Sequence, residues 1–283
     1  MATNSKIDYL VIGDPVAHSR SPQMQNAAFE YYGMGRPYGK LRVDPEKIGD
    51  FALYARENLK GVNLTVPHKQ IIIPFVDELS PQAAACQSVN TLKISNGKLY
   101  GFSTDGAGIS GAVRENFGLE LKGLHVLMLG AGGAANAAAF ELAWQQSASV
   151  TIANRSVDKA ETLARKASAA NPATPMEAIS LADTGALKHA IEKADLLLQL
   201  TSLGLHSDDR SPIDLDLLEL NGDLKIFDAI YHETPLLKRA AQLNLAAADG
   251  REMLIFQGAA SFEIWTGKKA PLDAMRKGFQ LNQ

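Results

Sequence analysis

A glycine-rich turn between an apolar run and an alanine-rich segment is the sequence feature that most constrains the fold. The run His125-Val-Leu-Met-Leu129 is typical of a buried strand, and residues 134–146 have the composition of a helix. Between them, residues 130–135 follow the pattern Gly-x-Gly-x-x-Ala, which marks a strand, a tight turn and a helix that bind a dinucleotide. A glycine-rich turn without a ligand is the alternative. Because the strand and the helix are both indicated, the pattern predicts a parallel α/β sheet with a dinucleotide site.

The next apolar run indicates which dinucleotide binds. Val150-Thr-Ile-Ala153 is followed by Asn154-Arg155-Ser156, and Lys159 comes one turn later. An NAD enzyme usually has Asp or Glu here, whereas a guanidinium can bind a 2′-phosphate through two hydrogen bonds. An ordinary solvated helix start is the alternative, but positive charge there opposes the helix dipole unless an anion binds. We therefore predict NADP as the cofactor, in contact with Gly130, Ala131, Gly132, Gly133, Ala134, Asn154, Arg155, Ser156 and Lys159.

The remaining periodicity predicts two α/β units with mostly parallel sheets. Apolar runs predict further strands over residues 9–12, 61–66, 195–198 and 225–230. Helical patterns cover residues 21–32, 51–58, 235–243 and 253–265, and a last helix begins at Pro271. Ser21 stands directly before Pro22, which is typical of a helix N-cap.

Composition limits the setting and the partners. The chain has 283 residues, enough for two domains, and its net charge of −3 without a basic run argues against a nucleic-acid partner. No apolar stretch approaches the roughly 20 residues of a membrane helix. Cys86 is the single cysteine, so no intrachain disulfide is possible, and without a signal sequence a cytoplasmic location is expected. The six histidines show no metal-ligand spacing, so no metal is predicted.

Four polar motifs in the first half carry more polar residues than folding alone requires. They are Gly13-Asp-Pro-Val-Ala-His-Ser19-Arg-Ser21-Pro22, Asn63-Leu-Thr65-Val-Pro-His-Lys69, Ser88-Val-Asn90-Thr91 and Ser103-Thr-Asp105-Gly106. Together with the glycine turn, Asn154-Arg155 and Gln257-Gly258, this series resembles the signature of the shikimate dehydrogenase family. The resemblance extends from about residue 13 to residue 267.

The resemblance implies NADP-dependent, reversible reduction of 3-dehydroshikimate to shikimate. It implies a substrate-binding α/β domain (residues 1–104), a Rossmann-type doubly wound NADP-binding domain (105–248), and C-terminal helices (249–283) returning to the first domain. The substrate would lie between the domains. Hydride addition to a ketone creates an alkoxide, which needs a proton donor and positive charge nearby. Lys69 would supply both, beside Asp105. Substrate contacts are expected from Ser19, Ser21, Thr65, Asn90, Asp105, Tyr231 and Gln257, and a further cofactor contact from Thr201.

Three departures from the family pattern keep other substrates open. Ser103 replaces the usual asparagine, Gln199-Leu-Thr-Ser202 replaces Asn-Ala-Thr-Ser, and the loop from Tyr231 to Thr234 is two residues shorter than usual. Quinate or an amino analogue of shikimate would be alternative substrates. The protein is expected to be a monomer or a homodimer. A non-catalytic NADP-binding sensor and a folate-type two-domain dehydrogenase are alternatives of other kinds.

Several of these residues also have simpler interpretations. Ser21 alone would be a helix cap, Lys69 a surface lysine and Asp105 a helix cap. His18 and His68 would fill hydrogen bonds in loops, and we assign neither of them to catalysis. Residues 253–265 are interpreted as a packing helix rather than a cofactor motif.

Overall fold

The computed structural model describes residues 7–206 and 209–280 of the chain. Its strands are β1 (Tyr9–Gly13), β2 (Tyr38–Arg42), β3 (Gly61–Leu64), β4 (Glu78–Leu79), β5 (Thr91–Ser95), β6 (Lys98–Phe102), β7 (His125–Leu129), β8 (Ser149–Asn154), β9 (Met176–Ser180), β10 (Leu196–Gln199), β11 (Lys225–Asp228) and β12 (Ala247–Ala248). Its α-helices are α1 (Ser21–Tyr31), α2 (Ile48–Asn58), α3 (His68–Ile71), α4 (Pro81–Cys86), α5 (Asp105–Phe117), α6 (Gly133–Trp144), α7 (Val157–Ala170), α8 (Thr184–Lys193), α9 (Pro235–Gln242), α10 (Arg251–Thr266) and α11 (Leu272–Gln280). Short 3₁₀ helices cover Pro45–Lys47, Ile73–Phe75 and Leu215–Leu220.

The chain divides into two compact units. Unit 1 combines the residues up to Gly108 with those from Leu254 onward, and unit 2 is Ile109–Met253. The boundaries expected from the sequence, after residues 104 and 248, precede α5 and α10. The compact units divide inside these two helices instead.

Unit 1 is built on a mixed six-stranded sheet in the order β2-β1-β3-β5-β6-β4. Strand β1 pairs in parallel with β2 and β3, and β4 pairs in parallel with β6. The β3–β5 and β5–β6 pairs are antiparallel. The expectation of a mostly parallel sheet therefore holds here for three of the five pairings, because β5 and β6 form a hairpin.

Both faces of the unit 1 sheet are covered, which is why every residue of β1 is buried. Leu10 and Ile12 face a cluster with helix α2. Tyr9 and Val11 face the opposite cluster, which contains α1 residues and the C-terminal residues Ile255, Phe262, Trp265, Met275 and Phe279. The Trp265 indole donates a hydrogen bond to the Leu92 carbonyl at 2.8 Å. The last two helices therefore complete one half of the core of unit 1.

Unit 2 is a doubly wound unit with a fully parallel six-stranded sheet. The order β12-β11-β10-β7-β8-β9 places the first strand, β7, in the middle. In such sheets ligands bind beyond the carboxyl ends of the strands, where the strand order reverses. That point lies at the end of β7, next to the glycine turn. The fold class predicted from the sequence is confirmed.

The beginning of α1 differs from the sequence interpretation. Arg20 is the residue at the N-cap position, no described side chain caps the helix, and Ser21 is already its first helical residue. The prediction of Ser21 as the cap was wrong because proline is tolerated at either of the first two helical positions, so Pro22 does not fix the start of the helix. Within the described ranges, no helix is both long enough and apolar enough to span a membrane.

Candidate active site

Lys69 lies on the short helix α3, directly after the loop that leaves β3. Two backbone-directed bonds hold this segment: the His68 Nε2–H donates to the Val43 carbonyl at 2.9 Å, and the Lys69 carbonyl accepts from the Val89 N–H at 2.8 Å. The Lys69 Nζ lies 2.5 Å from Asp105 Oδ2. The side chains are 22% and 5% exposed, respectively. The structure thus brings together two residues that are 36 positions apart.

Asn90 holds the other oxygen of the Asp105 carboxylate. Its Nδ2 donates to Asp105 Oδ1 at 2.8 Å and to Thr104 Oγ1 at 2.9 Å, while its Oδ1 accepts from the Thr104 backbone N–H at 2.8 Å. A backbone N–H can only donate, so it fixes which end of the amide faces Asp105. The carboxylate is therefore bound on one oxygen by an ammonium and on the other by an oriented amide.

Gln257 joins this cluster from α10. Its Oε1 accepts from Asn90 Nδ2 at 3.3 Å, and its Nε2 donates to the Leu254 carbonyl at 2.9 Å. Four of the residues predicted as site residues, Lys69, Asn90, Asp105 and Gln257, therefore form one connected group within unit 1, which we call the Lys69 cluster.

Three other predicted substrate residues lie in unit 1 but outside this hydrogen-bonded group. Ser21 is buried and Ser19 half-buried, and the Ser21 N–H donates to Ser19 Oγ at 3.4 Å. Thr65 follows β3 and packs against Gly13, where a Cβ added to the glycine would lie only 2.4 Å from Thr65 Cγ2. Among the described residues, none of the hydrogen bonds of the Lys69 cluster involves Ser19, Ser21 or Thr65.

The glycine turn of unit 2 has an open helix N-terminus. Gly130 has φ +112° and its N–H donates to the Ala153 carbonyl at 2.8 Å. Gly132 is the N-cap residue of α6, and no side chain in the described part of the chain caps the helix. Gly132 and Gly133 are exposed, and Ala131 and Ala134 are half-buried. The first N–H groups of α6 are therefore available to an anion, as a dinucleotide pyrophosphate requires.

The basic residues predicted for the 2′-phosphate follow the neighbouring strand. Leu129 pairs with Ala153 in the parallel register of β7 and β8, so both strands end at the same edge. Asn154 Nδ2 donates to the Ser156 carbonyl at 2.9 Å, and the side chains of Arg155, Ser156 and Lys159 are exposed. Helix α7 also begins without a cap from any described side chain. The donor set fits a phosphate next to the glycine turn.

The loop after β10 places Thr201 against the glycine turn. A Cβ on Gly130 would lie 3.1 Å from Thr201 Cγ2. Gln199, one of the departures from the family pattern, is buried and braces this loop: its Oε1 accepts from the Thr201 N–H at 2.7 Å and its Nε2 donates to the Leu203 carbonyl at 2.9 Å. Gln199 therefore stabilises the conformation of its own loop, which explains this departure from the family pattern.

The shortened loop after β11 is closed by Asp228. This buried carboxylate accepts from Thr234 Oγ1 at 2.7 Å and from the Ile230 N–H at 3.1 Å, and burial raises its pKa. Tyr231, between these contacts, is 39% exposed. The remaining departure, Ser103, is half-buried beside the Cys86 thiol, whose pKa is raised by burial. Across residues 7–206 and 209–280, no group of three or more His, Cys, Asp or Glu side chains is arranged to hold a metal ion.

Sequence reasoning missed five polar residues that surround the Lys69 cluster. Asn63, Thr91 and Thr104 stand inside the quoted motifs, but no role followed from their positions. Tyr38 and Ser261 lie outside the motifs. The one available signal was the spacing of Gln257 and Ser261, which places both on one face of a helix.

The doubly wound unit with its open glycine turn, together with the paired lysine and aspartate of the other unit, defines a dinucleotide-dependent oxidoreductase. Three family models match separate segments of the chain: a shikimate dehydrogenase substrate binding domain over residues 11–92, a shikimate / quinate 5-dehydrogenase model over residues 112–205, and a shikimate 5'-dehydrogenase C-terminal domain over residues 250–277. The chain belongs to the shikimate dehydrogenase family, which confirms the resemblance seen in its motifs.

Similar proteins of this family cover the chain from end to end. A curated shikimate dehydrogenase (NADP(+)) of Methanopyrus kandleri is 37% identical over 270 residues, covering 94% of this chain and 92% of the relative. The crystal structure of the Aquifex aeolicus shikimate dehydrogenase has a TM-score of 0.88 at 33% identity and covers 99% of both chains. The Thermus thermophilus enzyme, solved with NADP(H) and shikimate, has a TM-score of 0.85 at 31% identity, covering 96% of this chain and 98% of that chain.

Proposed function

We propose that the protein is an NADP-dependent shikimate dehydrogenase, which reversibly reduces the ring ketone of 3-dehydroshikimate to the hydroxyl of shikimate. The observation that carries the proposal is the partly buried contact between Lys69 Nζ and Asp105 Oδ2, completed by Asn90 and Gln257. This arrangement sits in a chain that belongs to the shikimate dehydrogenase family.

The chemistry needs a proton and a positive charge where the alkoxide forms. When bound, NADPH supplies the hydride. The Lys69 ammonium donates a proton to the carbonyl oxygen as that oxygen gains negative charge, and the Asp105 carboxylate favours and orients the ammonium. In the reverse direction, Lys69 takes the hydroxyl proton. One ketone, one hydride and one proton give one alcohol, so the reaction is balanced.

Polar residues of unit 1 are proposed to hold the substrate. Ser19 and Ser21, at the beginning of α1, would donate to its carboxylate, since hydroxyls beside a helix N-terminus suit an anion. Thr65, Asn90, Asp105 and Gln257 would contact the ring hydroxyls. Tyr231 is proposed as a further substrate contact. One chain carries all of these residues, so a monomer or a homodimer would serve equally.

The proposed cofactor site is the carboxyl edge of the unit 2 sheet. Residues 130–134 would surround the pyrophosphate through backbone N–H groups, and Thr201 would lie beside them. Asn154, Arg155, Ser156 and Lys159 would bind the 2′-phosphate and the ribose. The absence of a carboxylate at this point, with Arg155 in its place, favours NADP over NAD.

The proposal is tested by following nicotinamide absorbance with the purified protein. NADP and NAD are each combined with shikimate, quinate and aminoshikimate, and kcat/KM is compared across all of these pairs. We expect the highest value for NADP with shikimate. A higher value with quinate or aminoshikimate would reassign the substrate, and tight NADPH binding without turnover on any acid would indicate a sensor.

Lys69→Ala should lower kcat by about 10²- to 10⁴-fold while the KM for shikimate changes little, because the lost group acts on the developing alkoxide. Lys98→Ala is the matched control. Lys98 is an exposed lysine of the same unit that pairs only loosely with Glu78, at 3.9 Å, and its loss should leave kcat unchanged. Near-normal turnover of the Lys69 variant would refute the assigned role.

A further inference from the structure

A buried chain of hydrogen bonds connects Tyr38, near the edge of the unit 1 sheet, to the Asp105 carboxylate. We infer that Tyr38, Asn63 and Ser261 are positioning residues, which hold Asn90 and Asp105 in the geometry that Lys69 requires. The inference rests on the proposed function, because it concerns the rate of that reaction. All three side chains are buried, and their hydrogen bonds run to one another and to Asn90, Thr91 and Gln257 rather than to Lys69.

Tyr38 is the first donor in this series of hydrogen bonds. Its hydroxyl lies 2.7 Å from Asn63 Oδ1, and burial raises the pKa of Tyr38 well above its ordinary value, so the phenol remains a donor. Asn63 also lies 3.2 Å from the Asn90 carbonyl, which can only accept, so the amide nitrogen faces that carbonyl and the amide oxygen faces Tyr38. Its NH₂ group must then point the opposite way, to Ser261 Oγ at 3.0 Å and Thr91 Oγ1 at 3.1 Å.

Ser261 is the branch point of the chain. Thr91 Oγ1 lies 2.7 Å from Ser261 Oγ, which in turn donates to the Gln257 carbonyl at 2.9 Å. Because the carbonyl can only accept, the single proton of Ser261 goes to Gln257, and Thr91 is then the donor in its contact with Ser261. The same carbonyl accepts from Thr104 Oγ1 at 3.0 Å. Ser261 and Thr104 thus meet on one backbone atom of α10.

Thr104 connects these hydrogen bonds to the Asp105 carboxylate through Asn90. Because its hydroxyl proton is used on the Gln257 carbonyl, Thr104 Oγ1 is free to accept from Asn90 Nδ2, whose other hydrogen goes to Asp105 Oδ1. Asn90 Nδ2 also lies 3.3 Å from Gln257 Oε1, so the network closes on the same helix, and the orientation of each group depends on the groups that it bonds to. A missing hydroxyl at Tyr38 or Ser261 leaves a buried neighbour without its partner and frees it to rotate.

The consequence is specific to the chemical step. A small displacement of the Lys69–Asp105 pair should raise the energy of the transition state more than that of the bound substrate. These two residues are proposed to hold the proton donor in the geometry that the reaction needs. The proposed NADPH contacts are residues of unit 2 and take no part in these hydrogen bonds. Tyr38→Phe and Ser261→Ala should each lower kcat about three- to tenfold, with the KM for NADPH unchanged and the KM for shikimate within about threefold.

A double-mutant cycle tests the connection between the two ends. Tyr38 is joined to Ser261 through Asn63, so the combined loss in kcat for the double variant should be clearly smaller than the product of the two single losses. The matched control is Ser147→Ala. Ser147 is an equally buried serine of unit 2 whose hydroxyl donates to the Leu121 carbonyl at 2.9 Å, and its replacement should leave kcat unchanged and combine multiplicatively with Tyr38→Phe.

Near-ultraviolet circular dichroism measured at the assay temperature gives the folded fraction, and kcat is expressed per folded chain. Wild-type kcat in both single variants, or multiplicative losses in the double variant, would overturn the positioning role while leaving the proposed function intact. A wild-type protein without turnover on any of the acids would instead remove the proposed function, and this is seen before any variant is made.

Discussion

We expect one side chain, that of Arg155, to decide between NADP and NAD. Its side chain is exposed directly after β8. Ala153, two residues earlier, pairs with Leu129, the last residue of β7, so Arg155 lies at the same sheet edge as the glycine turn. Replacing Arg155 with Asp should raise the KM for NADPH by about tenfold or more and change the KM for NADH much less, because a carboxylate repels the 2′-phosphate. Steady-state kinetics with both cofactors measure this.

Arg165→Asp is the control for Arg155. It makes the same charge change on the exposed side of α7, more than two helical turns beyond the helix start, where a phosphate at the turn is out of reach. It should leave both KM values near those of the wild type. Equal increases for NADPH and NADH in the Arg155 variant would contradict the phosphate assignment.

His68 predicts a dependence of stability on pH. Burial is the largest reason that its pKa is lowered from 6.5; the hydrogen bond to the Val43 carbonyl and the charges of Asp14 and Asp44 act in the opposite direction. The unfolded chain therefore binds this proton more tightly. The contribution of the neutral imidazole to stability is complete above pH 6.5 and is lost as the pH falls through the lower pKa of the folded state.

His68→Gln should remove this dependence, because glutamine stays neutral and keeps an N–H that can donate to the Val43 carbonyl. Urea unfolding at about pH 7.5 and about pH 5 gives the free energies. The drop between the two pH values should be smaller in the variant than in the wild type. The exposed His18 is the control, and His18→Gln should leave the drop unchanged; an unchanged drop in His68→Gln would disprove the argument.

At the level of single residues, the sequence predicted that Lys69 and Asp105 pair, and the structure places them in contact, but it gave no sign of the polar residues behind them. Taken alone, Lys69 would be a surface lysine and Asp105 a helix cap, and only the resemblance of their motifs to the family predicted that they pair. Tyr38 and Ser261 have no such signal. An aromatic residue near a strand start and a serine within a helix are ordinary, and only the fold shows that both reach Asn63.

At the level of elements, the turn between β7 and α6 provides a matched pair of glycines. Gly130→Ala should destabilise the protein by about 1–3 kcal/mol, because its φ of +112° is unfavourable for alanine and the new Cβ would lie 3.1 Å from Thr201 Cγ2. Gly132 has φ −87° and nothing within 4 Å of a Cβ. Gly132→Ala should therefore change stability by less than about 1 kcal/mol.

For cofactor affinity, the expected large effect is that of Gly132→Ala, the variant with the small effect on stability. A methyl group on Gly132 would stand between the backbone and the pyrophosphate, so the Kd for NADPH should rise by about tenfold or more. Urea unfolding and titration of NADPH fluorescence measure the two effects. An unchanged Kd in a folded Gly132→Ala protein would move the pyrophosphate away from this turn.

Element prediction from sequence was best where nearly every residue of the element is buried. The bounds of β7 were predicted as they are found, because an apolar run flanked by a glycine turn has few other interpretations. The hairpin of β5 and β6 was missed, although Asn96-Gly97 is a strong hairpin signal and both residues have positive φ. Strand β2 was missed because it is a partly exposed edge strand, whose residues lack the continuous apolar run of β1.

At the level of the whole molecule, unit 1 depends on residues from both ends of the chain. Its C-terminal segment contributes five large buried side chains, Ile255, Phe262, Trp265, Met275 and Phe279. Burying each one is worth about 1.5–3 kcal/mol, which together is comparable with the whole stability of a domain, about 5–15 kcal/mol. A fragment of residues 1–104 should therefore remain unfolded, whereas residues 105–253 should unfold cooperatively and bind NADPH.

Circular dichroism and NADPH titration of the two separate fragments test this difference. The two tryptophans help in the full chain, since Trp265 belongs to unit 1 and Trp144 to unit 2, so Trp144→Phe leaves a reporter for unit 1 alone. A folded 1–104 fragment would show that the C-terminal helices are dispensable for the core. The periodicity of the sequence indicated these helices but could not decide which core they complete, because an apolar helix face is compatible with either unit.

Insertion of unit 2 between the two segments of unit 1 has a consequence during synthesis on the ribosome. Unit 2 emerges in full while the first segment of unit 1 still lacks α10 and α11, so the unit that comes first in the chain is the last to be finished. Gln257 and Ser261 arrive with those final helices. We expect an interrupted nascent chain to bind its nucleotide before the hydrogen bonds around Lys69 are complete. Turnover should begin only after translation has passed both helices.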